Sequence, residues 1–109
     1  MKNYSRNEVI LIKYPFSSLT DFKVRPAIII STEHKSDNII IVPLTSKIIN
    51  IYSDEFILKD WESTGLNVIT AVKRGIFTID SHLIIKRIGF LSNEDIDRLN
   101  KTILEWIGL

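Results

Sequence analysis

At 109 residues the chain falls below the roughly 150-residue norm for a domain, which predicts one domain over residues 1–109 built on a single core. A composition 45% hydrophobic and 25% charged excludes wholesale disorder, and the absence of cysteine excludes disulfides, thiolate nucleophiles and cysteine-based zinc sites, leaving the cytoplasm as the expected compartment. No apolar run approaches the roughly 18 residues of a membrane span, and Met1 to Arg6 is polar, so neither membrane insertion nor export is expected.

Net charge is +1, but it is unevenly spread. From Met1 to Tyr52, seven lysines and arginines face four acids, a balance of +3, whereas from Ser92 onward two cations face four acids, a balance of −2. A basic N-terminal half is compatible with a polyanionic partner.

Glu8 to Tyr14 and Pro26 to Thr32 are rich in β-branched and aromatic residues and read as strands. The segment between them, Pro15 to Val24, is too long for a tight turn and is expected to be an exposed loop. Ala27 to Ser31 and Asn38 to Val42 are nearly continuous isoleucine and valine, the pattern of strands covered on both faces, and the polar stretch Glu33 to Asp37 joins them as a central hairpin. Beyond Pro43 come five short strand-like runs: Ile48 to Tyr52, Glu55 to Leu58, Asn67 to Val72, Phe77 to Asp80 and Leu83 to Ile88. Asp60 to Thr64 suits one helical turn. With no long helix between these strands, a curved sheet or small barrel is expected rather than a parallel sheet. Ile96, Leu99, Ile103, Leu104 and Ile107 then recur at helical spacing, with Ser92 placed to cap the helix and Gly108 to stop it.

Arg25 is the most suggestive polar residue. It stands where the loop meets a buried strand, and Pro26 restricts it to extended conformations, so its guanidinium leaves the sheet from a fixed origin and suits a phosphate. An ion pair with a surface carboxylate is the competing reading. Pro43 to Ser46 ends the next strand with two hydroxyls, Thr45 and Ser46, which suit either phosphate oxygens or ordinary turn bonds to nearby backbone. Lys73 and Arg74, beside Gly75, suit a polyanion groove or a solvated bend. His34 and His82 lie far apart in sequence, which weighs against an acid–base pair, and no cluster has metal-ligand spacing. Trp61 and Trp106 suit core or interface positions, and Asp80 suits a turn cap or a partner for Arg74.

In this order, YPFSSL, VRPAIIIS, IIIVPLTS, WESTGL, IFTID and IGFLSNEDIDRLN resemble the MazF/PemK family of toxins over nearly the whole chain. The resemblance implies a mainly β fold with a C-terminal α-helix, a small curved SH3-like barrel that pairs as a homodimer. It also implies a metal-independent, sequence-selective endoribonuclease that cleaves single-stranded RNA, needs no cofactor and is silenced by a cognate antitoxin. In that family's chemistry the ribose 2′-hydroxyl attacks its own phosphate, leaving a cyclic phosphate and a 5′-hydroxyl. Arg25 matches the family's arginine and Thr45 its catalytic threonine or serine, with Ser46 as a substrate contact. Phe16 to Lys23 would border the RNA groove, Phe16 stacking a base and Lys23 steering phosphate, with Lys73 and Arg74 as further RNA contacts.

The chain also departs from the family. Lys73, Arg74 and Gly75 stand where some members carry an acid or histidine, Phe77 stands where some carry arginine, and the family's glycine near the first strand is replaced around Asn7 and Glu8. The general base is therefore unassigned, and a non-catalytic SH3-like binding module, an inhibitor of another macromolecule such as a topoisomerase, or an inactive relative stay open. Abundant isoleucine in so short a chain places the dimer contact on the central apolar face.

Overall fold

β-Branched residues at alternating positions let the three central strands cover two faces at once. In the computed structural model, which describes residues 4–14 and 23–109, these strands are β1 (Glu8–Tyr14), β2 (Lys23–Ile29) and β3 (Asn38–Thr45). They pair antiparallel in the order β3, β2, β1. On one face Val9, Ile28, Val42 and Leu44 pack with Phe56, Leu58, Val72, Leu91 and Leu99. Alternation sends Ile10, Ile12, Ala27, Ile29, Ile39 and Ile41 to the opposite face, where they pack with Ile79. Each fully buried isoleucine contributes about 1.5–3 kcal/mol, so both faces are held by aliphatic burial within the chain. The expected hairpin of strands covered on both sides is present. Most apolar side chains left exposed, such as Phe90, Ile107 and Leu109, lie outside the central strands, where Val24 and Ile40 are the exceptions among the described residues.

The remaining elements are β4 (Phe56–Ile57), α1 (Trp61–Thr64), β5 (Ala71–Val72), β6 (Phe77–Asp80), a 3₁₀ turn (Ser81–Leu83), β7 (Ile84–Phe90) and α2 (Asn93–Trp106). The fold is mainly β with a C-terminal helix, as expected, but hydrogen bonding among the described residues does not close the sheet into a barrel. It runs β4-β5-β3-β2-β1-β7, with β6 also paired to β3. β3 exchanges partners along its length, pairing β6 from Asn38 to Ile41 and β5 at Leu44 and Thr45. Pro43, which has no N–H to donate, stands at the exchange between these two partners.

Several sequence expectations need correction. Ile48 to Tyr52 forms no strand, since Asn50 turns into the left-handed region at φ 63° and Glu55 folds back to accept the Tyr52 N–H at 2.8 Å. Asn67 to Val72 is strand only at Ala71–Val72, because Thr70 turns its hydroxyl onto the Val68 carbonyl. Leu104 and Ile107, counted in the apolar stripe of α2, are exposed, whereas Ile96, Leu99, Ile103 and Trp106 face the core. Phe16 and most of the expected loop lie outside the described residues, and its last two residues, Lys23 and Val24, already belong to β2.

Ser92 caps α2 as expected, accepting the Asp95 N–H at 3.3 Å. Asp95 itself is buried and accepts the N–H groups of Lys59 and Asp60 at 2.9 and 3.0 Å, tying the helix to the chain ahead of α1. Asp80 caps the 3₁₀ turn rather than meeting Arg74: its carboxylate accepts the His82 N–H at 2.8 Å and lies 2.6 Å from the ring Nδ1. The His82 backbone bond, and then the ring, hold this carboxyl below the usual aspartate range.

Asn7 occupies the left-handed region at φ 73°, a conformation that glycine adopts freely and asparagine tolerates better than most residues. Glu8 beside it is buried, pairs with Arg87 at 3.1 Å, and accepts the Ser5 N–H.

Candidate functional site

Arg25 and Thr45 are brought together by the register of β2 and β3. Ala27 pairs Pro43, Ile28 pairs Val42 and Ile29 pairs Ile41, so continuing two positions sets Arg25 opposite Thr45 on one face. The ladder nevertheless stops at Ala27. The Ile30 N–H donates to the Ile40 carbonyl at 2.9 Å, so even-numbered β2 residues turn their N–H groups toward β3. The next such residue is Pro26, which has none to give. The two strands thus keep their register while their hydrogen-bonded ladder ends at Ala27, and Arg25 lies just beyond that end, on the wall of a cavity.

Two adjoining cavities share Arg25, Leu44 and Thr45 as a common wall. The smaller, about 110 Å³, is completed by Tyr14, Pro43, Lys47 and Lys73. Lys73 arrives there because its N–H donates to the Pro43 carbonyl at 3.0 Å, extending the β5 ladder by one residue. The larger, about 300 Å³, runs over Leu11, Val24 and Pro26 to the segment Gly65–Thr70 and includes Ser46, Lys86 and Ile88. Among the described residues, neither is lined by a carboxylate or an imidazole. Four cations, Arg25, Lys47, Lys73 and Lys86, therefore border one region of a chain whose net charge is only +1, and none has an ion-pair partner among the described residues. Such a concentration of one sign in a concave, partly apolar setting focuses the field on an incoming anion.

Thr45 accepts the Lys47 N–H on its hydroxyl at 3.1 Å, which is the turn bond weighed from the sequence. That bond also fixes the hydroxyl and leaves its proton free to be donated. Turn chemistry and anion binding are compatible at this residue. Ser46 lies exposed at the lip of the larger cavity. Lys23 pairs Tyr14 across β1 and β2 and shares the face of Arg25 by alternation, two residues toward the strand end, without lining either cavity.

Arg74 lies elsewhere. Its guanidinium Nε meets Asp54 at 3.2 Å and its N–H donates to Glu55, so its charge is offset outside both cavities. Of the two adjacent cations read as RNA contacts, only Lys73 reaches the site. Phe16 lies outside the described residues. Tyr14, Lys47 and Lys86 are the site residues that sequence reasoning missed. For Lys86 the signal was faint: it pairs Leu11 across β1 and β7, a register that short local patterns do not reveal.

His34 bonds Ser36 and His82 bonds Asp80, both away from the two cavities. Among the described residues no three His, Asp or Glu side chains converge as metal ligands, and no helix is long and apolar enough to cross a membrane. Chemically, the small cavity offers a planar guanidinium, a held hydroxyl donor and two ammonium groups around a space of phosphate character.

A family model described as PemK-like, MazF-like toxin of type II toxin–antitoxin system matches residues 5–107. No curated protein sequence matches the chain significantly. Among solved structures, MazF from Deinococcus radiodurans aligns over all of both chains with a TM-score of 0.79 at 13% identity. The Mycobacterium tuberculosis toxin MazF-mt6 aligns with a TM-score of 0.75 at 20% identity, covering 94% of this chain and 97% of its own. An endoribonuclease in complex with its cognate antitoxin, from a mycobacterial species, gives a TM-score of 0.76 at 16% identity, covering 100% of this chain and 97% of its own. At these identities the structures share the fold.

Proposed function

The chain belongs to the PemK-like, MazF-like toxins of type II toxin–antitoxin systems, and from that premise we propose that it is a cytoplasmic, metal-independent endoribonuclease acting on single-stranded RNA. The observation that carries this reading is the cationic cavity in which Arg25, Thr45, Lys47 and Lys73 surround a phosphate-sized space. In the reaction, the substrate's 2′-oxygen forms a bond to the adjacent phosphorus as its proton leaves. The bond to the 5′-oxygen breaks, and that oxygen takes a proton, giving a cyclic phosphate and a 5′-hydroxyl. Negative charge grows on the non-bridging oxygens at the pentacoordinate stage. Arg25, always charged, donates two N–H groups to them, and the Thr45 hydroxyl donates a third bond from a position its turn already fixes. Lys47 and Lys73 raise the electrostatic potential around the same oxygens and so stabilise their negative charge.

Fixed donors of this kind are worth about 10²–10³ in rate each. The deciding experiment incubates the purified protein with long single-stranded RNA in EDTA and maps the fragment ends. Discrete cuts bearing cyclic phosphate and 5′-hydroxyl ends are expected. Arg25→Ala, checked for folding by circular dichroism, should lose about two to three decades of rate, whereas Thr45→Ser should keep most of it. That no carboxylate or imidazole lines the cavity among the described residues favours one rival, a binder that uses the same cavity without cleaving. Intact RNA held by a folded protein would establish that rival.

The same cavity suits the acidic segment of an antitoxin, which would silence the protein by occupying it. Two chains are proposed to act as a homodimer. Light scattering should report twice the monomer mass at micromolar concentration.

A further inference from the structure

The larger cavity shares a wall with the phosphate-sized one but is built from different materials. Its lining combines the apolar Leu11, Val24, Pro26 and Leu66 with the polar Asn67, Lys86 and Ser46. A flat ring with apolar faces and a polar edge fits that division. A purely apolar anchor would cover the apolar lining and gain nothing from the Asn67 amide or the Lys86 ammonium, both of which are exposed.

Asn67 is exposed, and its side-chain amide bonds to no described residue. The segment that carries it is nonetheless held firmly. Gly65 closes α1 in the left-handed region at φ 106°, with its N–H donating to the Glu62 carbonyl. Thr70 is buried, donates its hydroxyl to the Val68 carbonyl at 2.8 Å, and accepts the Leu58 N–H at 2.9 Å. The amide is unengaged and its backbone is held, so only the rotamers of the side chain itself remain to be ordered on binding.

We infer that the larger cavity seats the nucleobase adjoining the phosphate held at Arg25 and Thr45, and that Asn67 reads the edge of that base and so determines part of the sequence selectivity. This rests on the RNA-cleaving function proposed above. The geometry favours a base over a peptide because the cavity shares Arg25, Leu44 and Thr45 with the cationic phosphate-sized one, so a nucleotide can set its backbone at one and its base at the other. The amide, carrying both donor and acceptor, can pair bidentately with a base edge, and such a pair discriminates by about 5- to 150-fold.

The test uses the full chain and a single-stranded RNA library randomised around the cut, sequenced after partial cleavage. In parallel, binding is measured by fluorescence anisotropy with RNAs carrying a 2′-deoxy sugar at the cut, which cannot react. Wild type should prefer one base at a position flanking the cut. In Asn67→Ala that preference should fall at least about fivefold at that position alone, in both assays, with the thermal midpoint unchanged. Asn67→Asp, which replaces the amide donors by acceptors, should re-order the preference rather than flatten it.

Selectivity in Asn67→Ala matching wild type at every position would overturn the inference while leaving the nuclease standing, and would assign the cavity to a protein segment instead. Wild type that neither binds nor cuts any of these RNAs would overturn both readings.

Discussion

If Pro26 opens the cleft by withholding one hydrogen bond, restoring that bond should close it. In Pro26→Ala the new N–H lies on the parity that faces β3, with the Leu44 carbonyl as its register partner. A net backbone hydrogen bond is worth about 0.5–1.5 kcal/mol. Losing proline's restriction of the unfolded chain costs about 0.4–1 kcal/mol. The two offset, so the urea midpoint should move by less than the equivalent of about 1 kcal/mol in either direction. Function should not be spared, because Arg25 and Thr45 would be drawn into a continued ladder and the space between them would shrink. Cleavage, or RNA binding if the protein does not cleave, should fall by at least about tenfold, which corresponds to about 1.4 kcal/mol. Amide hydrogen exchange at residue 26 supplies the structural readout and should show protection comparable to that of Ile28. An unprotected amide at residue 26, or a protected one with undiminished activity, would refute the argument that the proline makes the site.

Asp95→Ala should destabilise the fold by about 3 kcal/mol, since it strands the N–H groups of Lys59 and Asp60 and leaves a buried void, and thermal or urea unfolding measures it directly. Gly89→Ala places a methyl group 2.0 Å from the Thr64 carbonyl oxygen, so α1 must move off β7. A stability loss of about 1–3 kcal/mol is expected, together with blurred base selectivity as the Gly65–Thr70 wall shifts. Lys73→Ala should weaken RNA binding and lower the slope of log affinity against log salt by about 0.7, whereas Arg74→Ala, whose charge is already offset by Asp54, should change that slope less.

What could be read from the sequence follows the range over which each signal acts. β1 and β6 begin and end where their alternating residues do, and the cap at Ser92 was visible because its bonds span three residues. Arg25 and Thr45 could be singled out locally, one by its proline and the other by its place at a strand end. That they face each other depends on pairing between β2 and β3, which no local pattern specifies. The same limit explains Tyr14, Lys47 and Lys86, unremarkable in their own segments and joined only by the folded sheet. Ile48 to Tyr52 shows the opposite failure: its residues favour a strand, but it pairs with no neighbour, and Ile49 and Tyr52 are left 82% and 73% exposed. Arg74 was misplaced because Asp54, its partner, lies twenty residues away in sequence.

The double allegiance of β3 bears on how the molecule comes apart. Because one strand pairs β2 on one side and both β6 and β5 on the other, fraying from β4 or from β7 runs inward and stops at the same central strands. Those strands carry Arg25 and Thr45. Both residues therefore ride on strands that fraying from the sheet edges reaches last, and partial opening at β4 or β7, enough to admit a protease or a chaperone, need not disturb the register that sets them opposite each other. A toxin built this way would keep its working geometry through fluctuations that disrupt its edges.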